Sequence, residues 1–527
     1  MSTQPLLRST LQLSLSLLPA LSLMGPPCAA VALDADQSQP IPQFLNRSDA
    51  LPEHVYGGGW EHFVGGGLAV FDCNDDGLPE LFAAGGDTPA DLFLNRSELG
   101  GALTFERGEI PEIAPDALTH VTGAYPLDID SDGNTDLAVM RVGKNLLLKG
   151  DGDCHFTVAN EALNFDGGDR WTTAFTAGWE GDNARPTLFW GNYVDRDNPE
   201  GPFEACDRNE LDRPKEDSWE KTVLEPGFCT LSALISKGAR GVQSLRLSND
   251  RHYYVKGGYE QLYDLQQDRF LNESDGWDRV SLWGMGIAER DVNGDAVPDV
   301  MLTSMGDQLL QFGHAGGRYE AAPYDIGTYA HRPHLGDDGR PSTGWSADWG
   351  DLDNDGRADL FIAKGNVEQM PSNAAHDPNN LLQQKPDGTF REVSIAAGVA
   401  SMAKSRGAHL VDLNGDGKLD LAVVNRESAM ELYENVTPNT GQYLAISLHQ
   451  EGVNPDAVGA SVSVLTNLGL QVQELTVGGL HGSGKLTPLH FGLGDAESAQ
   501  VQVVWPDGTE SPWVKLDRFD RWVRLTR

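Results

Sequence analysis

One nine-residue pattern recurs along this chain and limits what it can fold into. Read as D-x-D/N-x-D-G-x-x-D followed by an apolar run, it appears as DCNDDGLPELFAA from Asp72, DIDSDGNTDLAVM from Asp128, DVNGDAVPDVMLT from Asp291, DLDNDGRADLFIA from Asp351 and DLNGDGKLDLAVV from Asp412. Two further segments have the same surroundings with eroded acids, around Glu180 and around Arg246. First pattern positions at 72, 128, 180, 246, 291, 351 and 412 give seven units of about 57 residues, covering roughly residues 42–437. Each unit has a small-residue stretch before the loop (GGGLAVFD, VTGAYPLD, STGWSADWGD, SRGAHLVD), an apolar stretch after it and then a short run such as DLFLN or ELYEN. Runs of four to seven Val, Leu and Phe residues between Gly/Asp/Asn turns predict strands. A period of this length with several strands per unit predicts an all-β fold, a seven-bladed β-propeller. PQFLNRSDALPEH near residue 42 repeats the pattern of an outer strand and its following loop, so the N-terminal segment is expected to complete the last blade.

The pattern also dictates chemistry. Oxygen donors at positions 1, 3, 5 and 9, a carbonyl at position 7 and Gly at position 6 suit a hard cation with six to eight oxygen ligands, which is Ca²⁺. Position 12 is apolar throughout (Ala83, Val139, Leu302, Ile362, Val423), so the loop runs into a strand rather than the helix of an EF-hand. The expected ligands are Asp72, Asn74, Asp76 and Glu80; Asp128, Asp130, Asp132 and Asp136; Asp291, Asn293, Asp295 and Asp299; Asp351, Asp353, Asp355 and Asp359; and Asp412, Asn414, Asp416 and Asp420. About five structural Ca²⁺ ions follow, with none expected in the Glu180 and Arg246 units. Loop 291 carries Ala296 where Gly belongs.

With 39 Lys plus Arg against 78 Asp plus Glu, the formal charge is −39, which disfavours a nucleic-acid partner. Residues 1–32 read as a signal peptide: Arg8 is the sole charge, Leu11 to Leu23 is Leu/Ser-rich, and Ala30-Val31-Ala32 offers a cleavage site. No later stretch is long and apolar enough to insert in a membrane, so a secreted or periplasmic protein is expected. Cys206 and Cys229 are the favoured disulfide pair and Cys73 with Cys154 the weaker one, with four free thiols as the alternative. The polar stretch 195–232 reads as an insertion on one face. Beyond ELYENVTPN the period stops, and the alternating strands of residues 441–527 predict a separate β-sandwich-type domain.

The acidic loops resemble the calcium hairpins of integrin-type propellers, and the tandem units resemble FG-GAP or VCBS repeats. The segment VGASVSVLTNLGLQVQELTVGGLHGSGKLTPLHFGLGDAESAQVQVVWPDG, with its LHFGLG turn and WPDG ending, resembles the ASPIC/UnbV domain. A VCBS propeller followed by this domain is the architecture of the cartilage acidic protein family. That resemblance implies calcium binding and extracellular interaction, and no known reaction. Where such domains usually read N-R-D-G-I-G-A, this chain has NPDAVGA.

For catalysis the residues offer His252, Tyr253, His331, Arg332 and His334, in non-repeat segments, and Lys364 beside a loop, expected to pair with the neighbouring acidic loop. Satisfied polar side chains packed between blades are the favoured reading of the histidine segments. Two function classes remain: a non-catalytic module that presents a face to an extracellular or periplasmic protein or glycan, and a Ca²⁺-dependent carbohydrate-active enzyme such as a polysaccharide lyase, which needs a neutral base beside a cationic Arg.

Overall fold

The computed structural model describes residues 39–527 except 111–112, 200–204, 251–256, 330–339 and 369. The expected leader, and His252, Tyr253, His331, Arg332 and His334, lie outside the described residues. Residues 41–527 form one compact unit, and no helix among the described residues is long and apolar enough to cross a membrane.

Among the described residues the strands before 441 fall into seven successive four-stranded antiparallel sheets, of which the second and third are joined through Arg170 and Trp171 facing Gly143 and Val142, and the first gains a fifth, parallel strand. The first runs Leu68–Phe71, Glu80–Ala83, Asp91–Asn95 and Phe105–Arg107. The sixth runs Gly344–Gly350, Asp359–Lys364, Asn380–Gln384 and Phe390–Glu392. The last consists of Lys404–Val411, Asp420–Arg426, Glu431–Asn435 and, from the other end of the chain, Phe44–Asn46. Phe44 faces Asn435 and Asn46 faces Tyr433, so the N-terminal strand closes the ring as its sequence suggested. Both disulfides form with the expected partners, Cys73–Cys154 and Cys206–Cys229.

Two expectations need correction. The stretch 195–232 is not an insertion as a whole: Asn209–Lys215 and Ser218–Leu224 are the outer strands of the third sheet, and Thr230 opens the fourth. Its Cys, Pro and charged residues hid the strands' alternation. In the fourth sheet the loop is 237–243, between strands Thr230–Ser236 and Ser244–Asn249, and Arg246 lies inside the second strand. Its guanidinium is buried over the Trp277 and Tyr319 rings, which is why a loop assignment based on one charged residue failed.

Residues after 441 form a three-stranded sheet, with Gln442–His449 between Leu489–Gly494 and Arg521–Thr526, and a four-stranded sheet built on Ser461–Thr466. Leu444, Ile446, Val462, Val464, Phe491, Val501 and Trp505 form the core of this part. In NPDAVGA, Ala457 adopts φ +55, the left-handed region that a Gly would occupy without strain, and Asn454 Oδ1 accepts the Val458 N–H to hold the turn.

From this region one segment leaves and enters the middle of the ring. The Ala177 N–H donates to the Val477 carbonyl, Gly479 N–H to Ala233, Leu480 N–H to Ile287 and Ala124 N–H to Gly482, so the inner strands of the second to fifth sheets each bond to a residue of the segment. The strand Gly484–Leu486 then pairs in parallel with Leu68–Phe71. His481 is fully buried: Gly65 N–H donates to its Nε2 at 3.1 Å and its Nδ1 donates to the Met285 carbonyl at 3.1 Å. A Cβ on Gly67 or Gly123 would run into the Gly482 carbonyl, and one on Gly407 into Ser483. The small residues that precede each loop are therefore the lining of a channel filled by the chain itself.

Candidate calcium loops and the face they form

Each acidic loop joins the innermost strand of its sheet to the next, and the five share one hydrogen-bond scheme. The position-1 carboxylate accepts the position-6 N–H at 2.7–2.9 Å: Asp72 from Gly77, Asp128 from Gly133, Asp291 from Ala296, Asp351 from Gly356 and Asp412 from Gly417. The position-5 carboxylate accepts the position-7 N–H in Asp76, Asp132, Asp295, Asp355 and Asp416. Positions 4 and 6 have positive φ throughout, so Ala296, at +65, is strained where the other loops have Gly.

Position 9 has a second task. Asp136 accepts the N–H of Ile129 on one oxygen and of Gly150 on the other. Glu80, Asp299, Asp359 and Asp420 do the same with Cys73 and Asn95, Val292 and Gly313, Leu352 and Gln384, and Leu413 and Asn435. Each carboxylate thus pins its loop to the third strand. The amides there reach back to the preceding sheet: Asn95 donates to the Leu413 carbonyl, Gln384 to Val292 and Asn435 to Leu352.

The donor set fits a hard cation. Asp128, Asp130 and Asp136 bring carboxylate oxygens within 4.8 Å of one another, as do Asp351, Asp353 and Asp355. Burial, reinforced by the neighbouring acids, pushes Asp136 up to about 8 and Glu80, Asp299 and Asp355 to about 7, and holds Asp351, Asp359 and Asp420 well above the usual carboxylate range. Lys149 pairs with Asp130 and Asp132, Arg357 with Asp355, and Lys418 with Asp416, all toward the loop rim. Among the described residues no Lys or Arg makes an ion pair with the inner carboxylates at positions 1 and 9, and an ion with two charges would offset their grouping. In the third sheet Arg213 occupies that role, its Nε 2.8 Å from Glu180 Oε1.

The loops also carry the C-terminal region. Gly441 N–H donates to the Asp353 carbonyl, Gly494 N–H to Asn354, and Asn454 N–H to Ser131 Oγ. Gly492 lies so close to Asp351 that a Cβ would overlap the carboxylate, and Gly417 is covered by the Tyr443 ring. Between this region and the ring remains a cavity of about 750 Å³, lined by Arg290, Trp349, Glu474, Lys485 and His490 among others. Lys485 pairs with Asp348 at 2.8 Å, and burial drives His490 down to about 4.

The residues that carry this assembly match known families in two places. An FG-GAP-like repeat model matches residues 72–139, and an ASPIC and UnbV model matches residues 450–522. The chain joins FG-GAP-like repeats to an ASPIC and UnbV domain. It is similar to cartilage acidic protein 1 of Homo sapiens, 26% identical over 162 residues, which is 30% of this chain and 24% of that protein. The Mus musculus protein matches at the same identity over 25% of its length, so the match spans about a quarter of these relatives. Among solved structures the chain is similar to BBS1N in complex with ARL6DN (8% identity, TM-score 0.43, 76% of this chain and 99% of that one). It is also similar to an Agrocybe aegerita protein described as recognising non-reducing terminal N-acetylglucosamine (15%, TM-score 0.40, 68% and 88%).

Lys364 is not paired with an acidic loop. Its Nζ lies 2.9 Å from Asp377 and donates to Asn380 at 3.0 Å, fully buried, because the strand Asp359–Lys364 carries it to the end opposite the loop. Sequence reasoning missed the Gly479–Lys485 plug and the docking role of the loops, although the run of Gly in VGGLHGSGK was the available signal.

Proposed function

We propose that the protein is an exported, Ca²⁺-stabilised propeller that presents one face to a protein or glycan partner and does not transform it. The observation that carries this reading is the division of labour between the two faces of the ring. Five loops with cation-binding donor sets lie beneath the ASPIC and UnbV domain, whose Gly479–Lys485 segment fills the channel. That leaves the opposite face for recognition. There Trp60 is 41% exposed and rests edge-on against the buried Trp171 ring at 4.8 Å, a rigid aromatic platform of the kind that anchors proteins and sugars. The two disulfides fit an oxidising compartment, in line with the leader expected in residues 1–32. Immobilised full-length protein is probed against a glycan array and an extracellular protein extract, with Ca²⁺ and with chelator. Ca²⁺-dependent capture that Trp60→Ala abolishes supports the reading; capture indifferent to both changes, or turnover of a captured glycan, overturns it.

A further inference from the structure

On the face opposite the loops three segments far apart in sequence are clamped together by their backbones. Asp87 N–H donates to the Gly57 carbonyl at 3.0 Å and His120 N–H to the Gly86 carbonyl at 2.6 Å, with bridges between Gly57 and Gly86 and between Gly86 and Val121. The clamp brings His62, Asp87 and His120 to one spot, with a ligand atom from each within 4.8 Å of the others. Asp87 Oδ1 lies 3.1 Å from His62 Nδ1 and 3.8 Å from His120 Nδ1, and the two rings stack at 5.5 Å.

His62 is 2% exposed, and neither of its ring nitrogens has a hydrogen-bond partner among the described residues; the contact with Asp87 is not aligned as a hydrogen bond. An orphaned imidazole in the interior is unfavourable unless something else takes its lone pair. Two local features hold the arrangement. His120 sits at φ +60, a conformation that β-carbon-bearing residues avoid, and at Gly58 a Cβ would press on both the Asp87 carboxylate and His62 Nδ1. Two imidazole nitrogens and one carboxylate oxygen are the donors of a borderline transition ion, unlike the all-oxygen loops below. For bonds of about 2.1 Å, tetrahedral ligand atoms lie roughly 3.4 Å apart, between the two separations seen.

We propose that His62, Asp87 and His120 bind one zinc-class divalent ion and leave its fourth position open to solvent and to an exogenous ligand. Asp87 and His120 are about half exposed, which gives both ion and ligand access.

The test titrates Zn²⁺ into the full chain held in saturating Ca²⁺, so that the acidic loops are occupied and the outcome does not depend on how the calcium reading fares. Calorimetry should show one Zn²⁺ per chain at micromolar or tighter affinity, weakened at least about tenfold by His120→Ala and by Asp87→Asn. Both variants change half-exposed groups, and their melting midpoints in Ca²⁺ should match the parent, which separates lost ligation from lost folding. Co²⁺ should give the intense visible absorption of a four-coordinate site in the parent and lose it in both variants. Equal Zn²⁺ affinity in parent and variants, or no Zn²⁺ uptake by the parent, overturns the proposal.

Discussion

Sheets three and six solve the same problem differently. In both, a loop from the innermost strand to the next carries acid, mostly buried in the sixth and partly exposed in the third. In the sixth, Asp351, Asp353, Asp355 and Asp359 crowd together with Arg357 paired to Asp355 at the rim, and their carboxyls are all driven upward. In the third, a single Glu180 accepts from Thr187 at 2.6 Å and pairs with Arg213, which also binds Asp268 and the Leu265 carbonyl. Under the proposed function one loop takes its counter-charge from an external ion, whereas the other has Arg213 on the adjacent hairpin. On that proposal one well-placed Arg is enough to decouple a blade from calcium, at the cost of fixing a neighbouring strand to hold it.

The largest expected effect separates the two kinds of loop globally. A site with Ca²⁺ at a hundred times its dissociation constant gains about 2.7 kcal/mol, so stripping five sites should lower the thermal midpoint by on the order of 10 °C in calorimetry. A midpoint unmoved by chelator would remove the ion from the sixth loop as well as from the third. Next, Asp355→Ala should cost about 1.5–3 kcal/mol in Ca²⁺ and little in chelator, where it relieves repulsion, whereas Arg213→Ala should cost about 1–2 kcal/mol in both. Denaturant titrations of the two variants in both buffers would cross if the comparison holds.

The pH response comes third in size. Without metal, the raised carboxyls hold protons more tightly folded than unfolded, so stability is greatest below the ordinary carboxylate range near 4 and falls as pH rises through about 6 to 8. In saturating Ca²⁺ the trend should reverse, because protons then compete with the ion; melts at several pH values with and without chelator check it. Smallest is Ala296→Gly, which removes the strain of a left-handed Ala and should add about 0.5–1 kcal/mol in either buffer, measured by denaturant midpoint.

What could be read in the letters follows this contrast. The acidic loops were legible because position-specific oxygens must repeat wherever the same turn repeats, and the closing strand because FLN at residue 44 copies the outer-edge sequence of other sheets. The eroded fourth loop lies several residues before Arg246, since without its acids nothing in the letters marks the turn. Gly67, Gly123 and Gly407 were seen as a small-residue signature, yet their reason, room for Gly482 and Ser483, comes from residues more than 70 positions away. The His62, Asp87 and His120 cluster has no spacing to betray it, because it is assembled by backbone bridges between segments that share no repeat position.

The closure of the ring has a consequence for how the chain is made. Phe44–Asn46 can find its place beside Glu431–Asn435 only when nearly the whole propeller has left the ribosome, and the residues that fill the channel come later still. Until then the last sheet has an open edge and the channel an unfilled wall of glycine backbone. A chain truncated between residues 436 and 476 would have its seam closed but no axle, so completeness of synthesis is itself a condition for a protease-resistant product.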